Sequence, residues 1–70
     1  MDVEQLTARL AAKIIDMQAA APRLRGEDTA GVAGTAAGLI LAALVDMGAD
    51  PPAAREAVTE ALSRWRADQP

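Results

Sequence analysis

Seventy residues with no cysteine and no histidine allow one small domain and exclude a disulfide framework, a thiolate metal centre and an imidazole ligand. A formal net charge of −3, spread along the chain, is the wrong sign for binding nucleic acid by phosphate neutralisation. A domain this short buries only about 60% of its unfolded surface; with Trp65 as the sole aromatic residue and no staple, close helix packing or a second chain must supply stability.

The first helix is expected over about residues 2–21. Asp2 can accept the unpaired N–H groups of the first turn, and Gln5 follows at capping-box spacing. Val3, Leu6, Leu10, Ile14, Met17 and Ala21 recur at steps of three and four, which is one helical face. Pro22 ends the helix, because the residue before a proline is pushed out of the helical region. Ala8, Ala12, Ile15 and Ala19 make a second, shallower apolar seam. Ile15 on that seam points to a second contact surface.

The second helix is expected over about residues 28–47. Glu27 and Asp28 place negative charge at its positive end, and Gly48 can close it in a left-handed conformation. The third, over about 51–67, opens on Asp50 as N-cap and Pro51 at the first helical position. Ala54, Val58, Ala61, Leu62 and Trp65 form its inward stripe. Glu60 and Arg64 are spaced for an ion pair on its outer side, and the tail after Ala67 is expected to fray. No period-two alternation suggests a strand. The chain therefore reads as one all-α domain, residues 1–70: a three-helix bundle with a central, nearly all-apolar second helix, completed by oligomerisation.

The second helix carries no charge from Thr29 to Val45, which raises the question of a membrane span. Those 17 residues would extend about 26 Å as a helix, short of a hydrocarbon core of about 30 Å. Acidic residues flank the run on both sides, without an aromatic belt. The first and third helices are amphipathic, as elements on a soluble core are. The N-terminus opens acidic rather than with the positive stretch of a signal peptide, so the cytoplasm is the expected compartment.

On a helical wheel Val32, Ala36, Leu39, Ile40, Ala43 and Met47 share one face. Ala37, Leu41, Leu44 and Val45 lie mostly opposite. A strip of small residues, Gly31, Thr35, Gly38 and Ala42, runs between them and ends at Asp46. Two neighbouring helices cover only part of a circumference, so a helix apolar nearly all round needs further cover. Gly34 and Gly38, with Ala42, have the spacing that lets helix backbones approach closely. Each interior glycine costs about 1 kcal/mol against alanine, so a gain elsewhere is expected. Close approach within the chain and between chains fit the sequence equally.

Chemistry is sparse. Tyrosine is absent, and there is one lysine, Lys13, and one serine. Asp46 and Asp50 flank the Gly48 turn, but helix-end roles explain them. Glu27 and Asp28 offer too few oxygens for a calcium loop. The glycine-rich stretch lacks the ending of a phosphate loop and does not follow a strand. A helix-turn-helix reading would make the third helix a DNA reader with Arg55, Arg64 and Arg66; Glu56 and Glu60 on its exposed side oppose this. Trp65 belongs to a type enriched at interfaces, and its place on the inward stripe suits core or dimer seam better than a hetero-partner anchor.

The reading is a small non-enzymatic protein–protein interaction module, an adaptor, inhibitor or assembly subunit, acting through helical surfaces as a homodimer. Ile15, Gly34, Gly38, Leu41, Ala42, Val45 and Trp65 are its expected interaction residues, with no catalytic, cofactor or metal residues. The expected partner is a second copy of the chain, in a dimer or higher oligomer, with a larger protein as a further one; nucleic acid, a membrane and cofactors are not expected. The alternatives are a small membrane-associated protein with a short hydrophobic helix over 29–47 and a helix-turn-helix-like DNA-binding regulator.

Overall fold

The computed structural model describes residues 2–24 and 29–69. It contains three helices, α1 (Val3–Ala20), α2 (Thr29–Asp46) and α3 (Pro51–Ala67), with a 3-10 turn at Pro22–Leu24 after α1. No strand occurs among the described residues. The helices pack together as an all-α bundle. Val3 borders Ala53 and Ala57, while Ala8 and Ala11 border Trp65 and Asp68, so α1 and α3 run the same way. Thr29 and Ala30 sit beside Trp65 and Gln69, so α2 runs against them.

The punctuation of the sequence explains the ends. Asp2 caps α1, its carboxylate accepting from the Glu4 N–H at 2.9 Å and the Gln5 N–H at 3.4 Å. Gln5 thus takes part through its backbone. The Ala21 N–H donates to the Met17 carbonyl, and Pro22 turns the chain away. The expected α2 start at Glu27 and Asp28 lies outside the described residues. At the other end of α2, Gly48 has φ of 98°. Its N–H donates to the Val45 carbonyl at 3.0 Å, and the Ala49 N–H to the Leu44 carbonyl at 2.9 Å. This pair of bonds is a Schellman closure, which needs a left-handed residue at its second-last position. Asp50 then accepts from the Ala53 N–H at 3.3 Å, and Pro51 opens α3 without wasting a donor.

The last turn of α3 is held more firmly than expected. The Asp68 N–H donates to the Arg64 and Trp65 carbonyls, the Gln69 N–H to the Arg66 carbonyl and Gln69 Nε2 to the Trp65 carbonyl at 3.3 Å. A side-chain amide that reaches back one turn replaces bonds that water would otherwise make.

The core consists of Leu6, Leu10 and Ile14 from α1, Ala54, Val58, Ala61 and Trp65 from α3, and six residues of α2. No polar residue is buried among the described residues. Two features differ from the sequence reading. α2 is not central: the broadest contact is between α1 and α3, and α2 packs on them by one side only. Its buried arc is also rotated. It runs through Val32, Ala33, Ala36, Ala37, Ile40 and Leu44, centred on Ala33, which lies between the two predicted faces. Ala33 and Ala36 are fully buried, whereas Leu39 is 49% and Met47 79% exposed. The reason is steric. Methyl-sized side chains let α2 come close to α1 and α3, and that gain in contact outweighs the apolar area of Leu39, which moves to the edge. Leu62, expected inward, is half-buried at the rim of the core.

The Gly48 closure carries the first prediction. A Cβ at position 48 meets nothing within 4 Å, but the positive φ strains any L side chain. Gly48→Ala is expected to lower unfolding free energy by about 1 kcal/mol, read as an earlier midpoint in urea with an unchanged slope. An unchanged midpoint contradicts this account.

Candidate functional site

The part of the surface that the fold leaves unexplained is the outer side of α2. Gly31, Gly34, Thr35, Gly38, Leu39, Ala42 and Val45 are all exposed along it. They form one continuous face at helical spacing, and no charge occurs on it before Asp46. The glycines make a shallow trough; Leu39 borders it on the α1 side and Val45 on the α3 side.

The trough decides between the two readings of the glycines. A Cβ at Gly34 or at Gly38 would meet nothing within 4 Å. Neither glycine therefore serves close packing inside the chain. Both keep their entropic cost without an intrachain return.

Among the expected interaction residues, Gly34, Gly38, Ala42 and Val45 come together on this face. Leu41 does not; it is half-buried and packs against the core, because it lies on the α3 side of the buried arc. Trp65 is 9% exposed and belongs to the core. Its indole stands at one end of the bundle, beside Thr29 and Ala30 in a shallow cleft of about 390 Å³ that Arg66 and Gln69 complete. Ile15 is 64% exposed and lies elsewhere: Ala8 and Ala11 border α3, and Ile15 is one turn further along that side of α1. One exposed apolar residue of the site was not expected there, Leu39; Met47, 79% exposed, lies past the end of α2 and away from the trough. The signal that could have found it is the run of alanines at 33, 36 and 37, whose burial fixes the rotation of the helix.

The charges are sorted by side. Glu4, Glu56, Glu60 and Asp68 border the groove between α1 and α3, with Arg64 the one cation among them. Arg64 pairs with Glu60 at 3.2 Å, both side chains more than half exposed, so the pair adds little stability. Arg66 lies instead on the α2 side of α3, beside Thr29 and Ala30; by their helical positions Arg55, which also shares a hollow on α3 with Glu56 and Glu60, and Arg9 and Lys13 of α1 lie toward α2 as well. The α2 face is thus apolar and neutral, with cations on both flanks.

Among the described residues no group of three or more acidic side chains could hold a metal ion, and no buried side-chain nitrogen or oxygen lacks a partner. α2 is long and apolar enough, by length and composition, to cross a membrane, with a mean hydropathy of 1.6 and a third of its residues buried in the bundle. A core helix passes the same test. No protein-family model, no curated protein and no solved structure matches the chain.

The open space at Gly38 gives a signed expectation. In a dilute single chain, Gly38→Ala is expected to raise stability by about 0.5–1 kcal/mol, the entropic gain at an exposed helix position. Chemical denaturation at low protein concentration measures it. A loss of stability there would mean that the position is crowded after all.

Proposed function

We propose that this protein is a small non-enzymatic interaction module that works through its helix surfaces, with the outer face of α2 as its contact site and a second copy of the same chain as its first partner, in a homodimer or higher oligomer. The observation that carries the reading is the trough at Gly34 and Gly38. Glycine in a helix interior costs about 1 kcal/mol relative to alanine, and the rest of the chain is rich in alanine. Open space above both residues leaves contact with something outside the chain as the use that repays the cost. A neighbouring helix can lie in the trough at short backbone distance and bury Leu39 and Val45 on its two sides. The role is an accessory one: an adaptor, an inhibitor of a larger assembly or an assembly subunit.

A membrane-associated reading draws on the hydropathy of α2. The face that is free to meet lipid offers only Leu39 and Val45 as sizeable apolar groups; glycine, alanine and threonine add little insertion energy. Contact with protein suits the face better.

Static light scattering at tens of micromolar is expected to give a mass above that of one chain. Gly38→Leu is expected to return the mass to a single chain while far-ultraviolet circular dichroism stays helical, since a Cβ at this exposed position meets nothing within 4 Å. A wild-type protein that stays monomeric over this range contradicts the proposal.

A further inference from the structure

We infer that copies of this chain associate head to tail, the α2 face of one copy seated on the α1–α3 edge of the next. The inference rests on the proposed use of the α2 face and names the surface that covers it. Charge complementarity carries it. The α1–α3 edge bears four carboxylates, of Glu4, Glu56, Glu60 and Asp68, against the single guanidinium of Arg64, which Glu60 already engages. The α2 face is flanked by Arg55 and Arg66 on one side and by Arg9 and Lys13 on the other, with Asp16 and Asp46 as the nearby acids among the described residues. A two-fold pairing sets a surface against itself. Two α2 faces would therefore bring cationic flanks together, and two α1–α3 edges would bring carboxylates together. Only the unlike pairing opposes cation to anion along its rim, which favours encounter and fixes orientation.

Both surfaces also carry apolar groups that the fold leaves bare. Leu39 and Val45 stand on the α2 face, and Ile15, 64% exposed, continues the Ala8 side of α1 beyond the end of α3. A head-to-tail contact can cover both sets at once. The pair then keeps one unused surface of each kind, so association continues into a ring or an open chain.

The test uses the full chain and two variants at exposed positions. Gly38→Glu fills the trough and adds a charge that the acidic edge repels. Ile15→Lys spoils the edge and leaves α2 untouched. Circular dichroism and a cooperative melt confirm folding, with Val45→Glu in place of Gly38→Glu should that variant fail to fold. Sedimentation velocity in low-salt buffer at tens of micromolar reads the mass. The expected result is a single-chain mass for each variant alone, and a species with one copy of each in their equimolar mixture, growing no further. Wild type is expected to grow beyond two copies. If Ile15→Lys associates like wild type while Gly38→Glu is monomeric, α2 pairs with α2; the inference then fails and the proposed function stands. If wild type alone is monomeric at every concentration, both fail. Flotation of wild type with phosphatidylserine-containing vesicles, without self-association, would assign the face to lipid and overturn both.

Discussion

The seating of α2 on its two neighbours through methyl-sized side chains is the constraint on which the rest of the structure depends. At its centre are Ala33 and Ala36, whose side chains are fully buried. A chain with one aromatic residue cannot fill a wide core. It can remove the space instead, because methyl groups at a helix contact allow a short interaxial distance and many weak contacts per unit length. Once the alanines are turned inward, helical geometry turns residues 31, 34, 35 and 38 outward. The trough is therefore a geometric partner of the core, and the two cannot be changed independently by rotating the helix.

The same rotation sorts the charges. With α2 on one side of the α1–α3 pair, the flank residues of α1 and α3 divide into those beside α2 and those in the groove opposite. Cations fall mainly in the first set and carboxylates in the second. The chain's mild net charge thus hides two surfaces of opposite character. Solvent-exposed charges of this kind do little for the stability of one chain; their effect lies in how two molecules orient as they meet.

Much of the fold was legible because its signals are local. Asp2, Pro22, Gly48, Asp50 and Pro51 each act on the backbone within a few residues, and the helix ends follow them closely. The stripes Leu6–Leu10–Ile14 and Ala54–Val58–Ala61–Trp65 were equally plain, since each lies on an amphipathic helix with one apolar side. α2 was different. Apolar residues occur nearly all round it, so its hydrophobic pattern does not define a rotation. Leu39 and Met47 share a helical face with Val32 and Ile40 yet are exposed, and a methyl group such as that of Ala33 carries little hydrophobic weight in such a pattern. The candidate face was legible in its glycines. Its position relative to the core, and the exclusion of Leu41 and Trp65 from it, depend on how three helices meet, which no single stretch of sequence records.

Trp65 has a consequence of another kind. Near the end of α3, it lines one hollow with Thr29 and Ala30 of the first turn of α2 and another with Thr7, Ala8 and Ala11 of α1. All three helices meet around that one ring. With tyrosine and phenylalanine absent, every photon of the chain's intrinsic fluorescence comes from this junction. Emission wavelength therefore reports the docking of one end of the bundle alone, free of the averaging that blurs the signal in proteins with several aromatic residues. The opposite end, at the Gly48 turn, is spectroscopically silent, and its loosening would pass unseen until the helices part at Trp65.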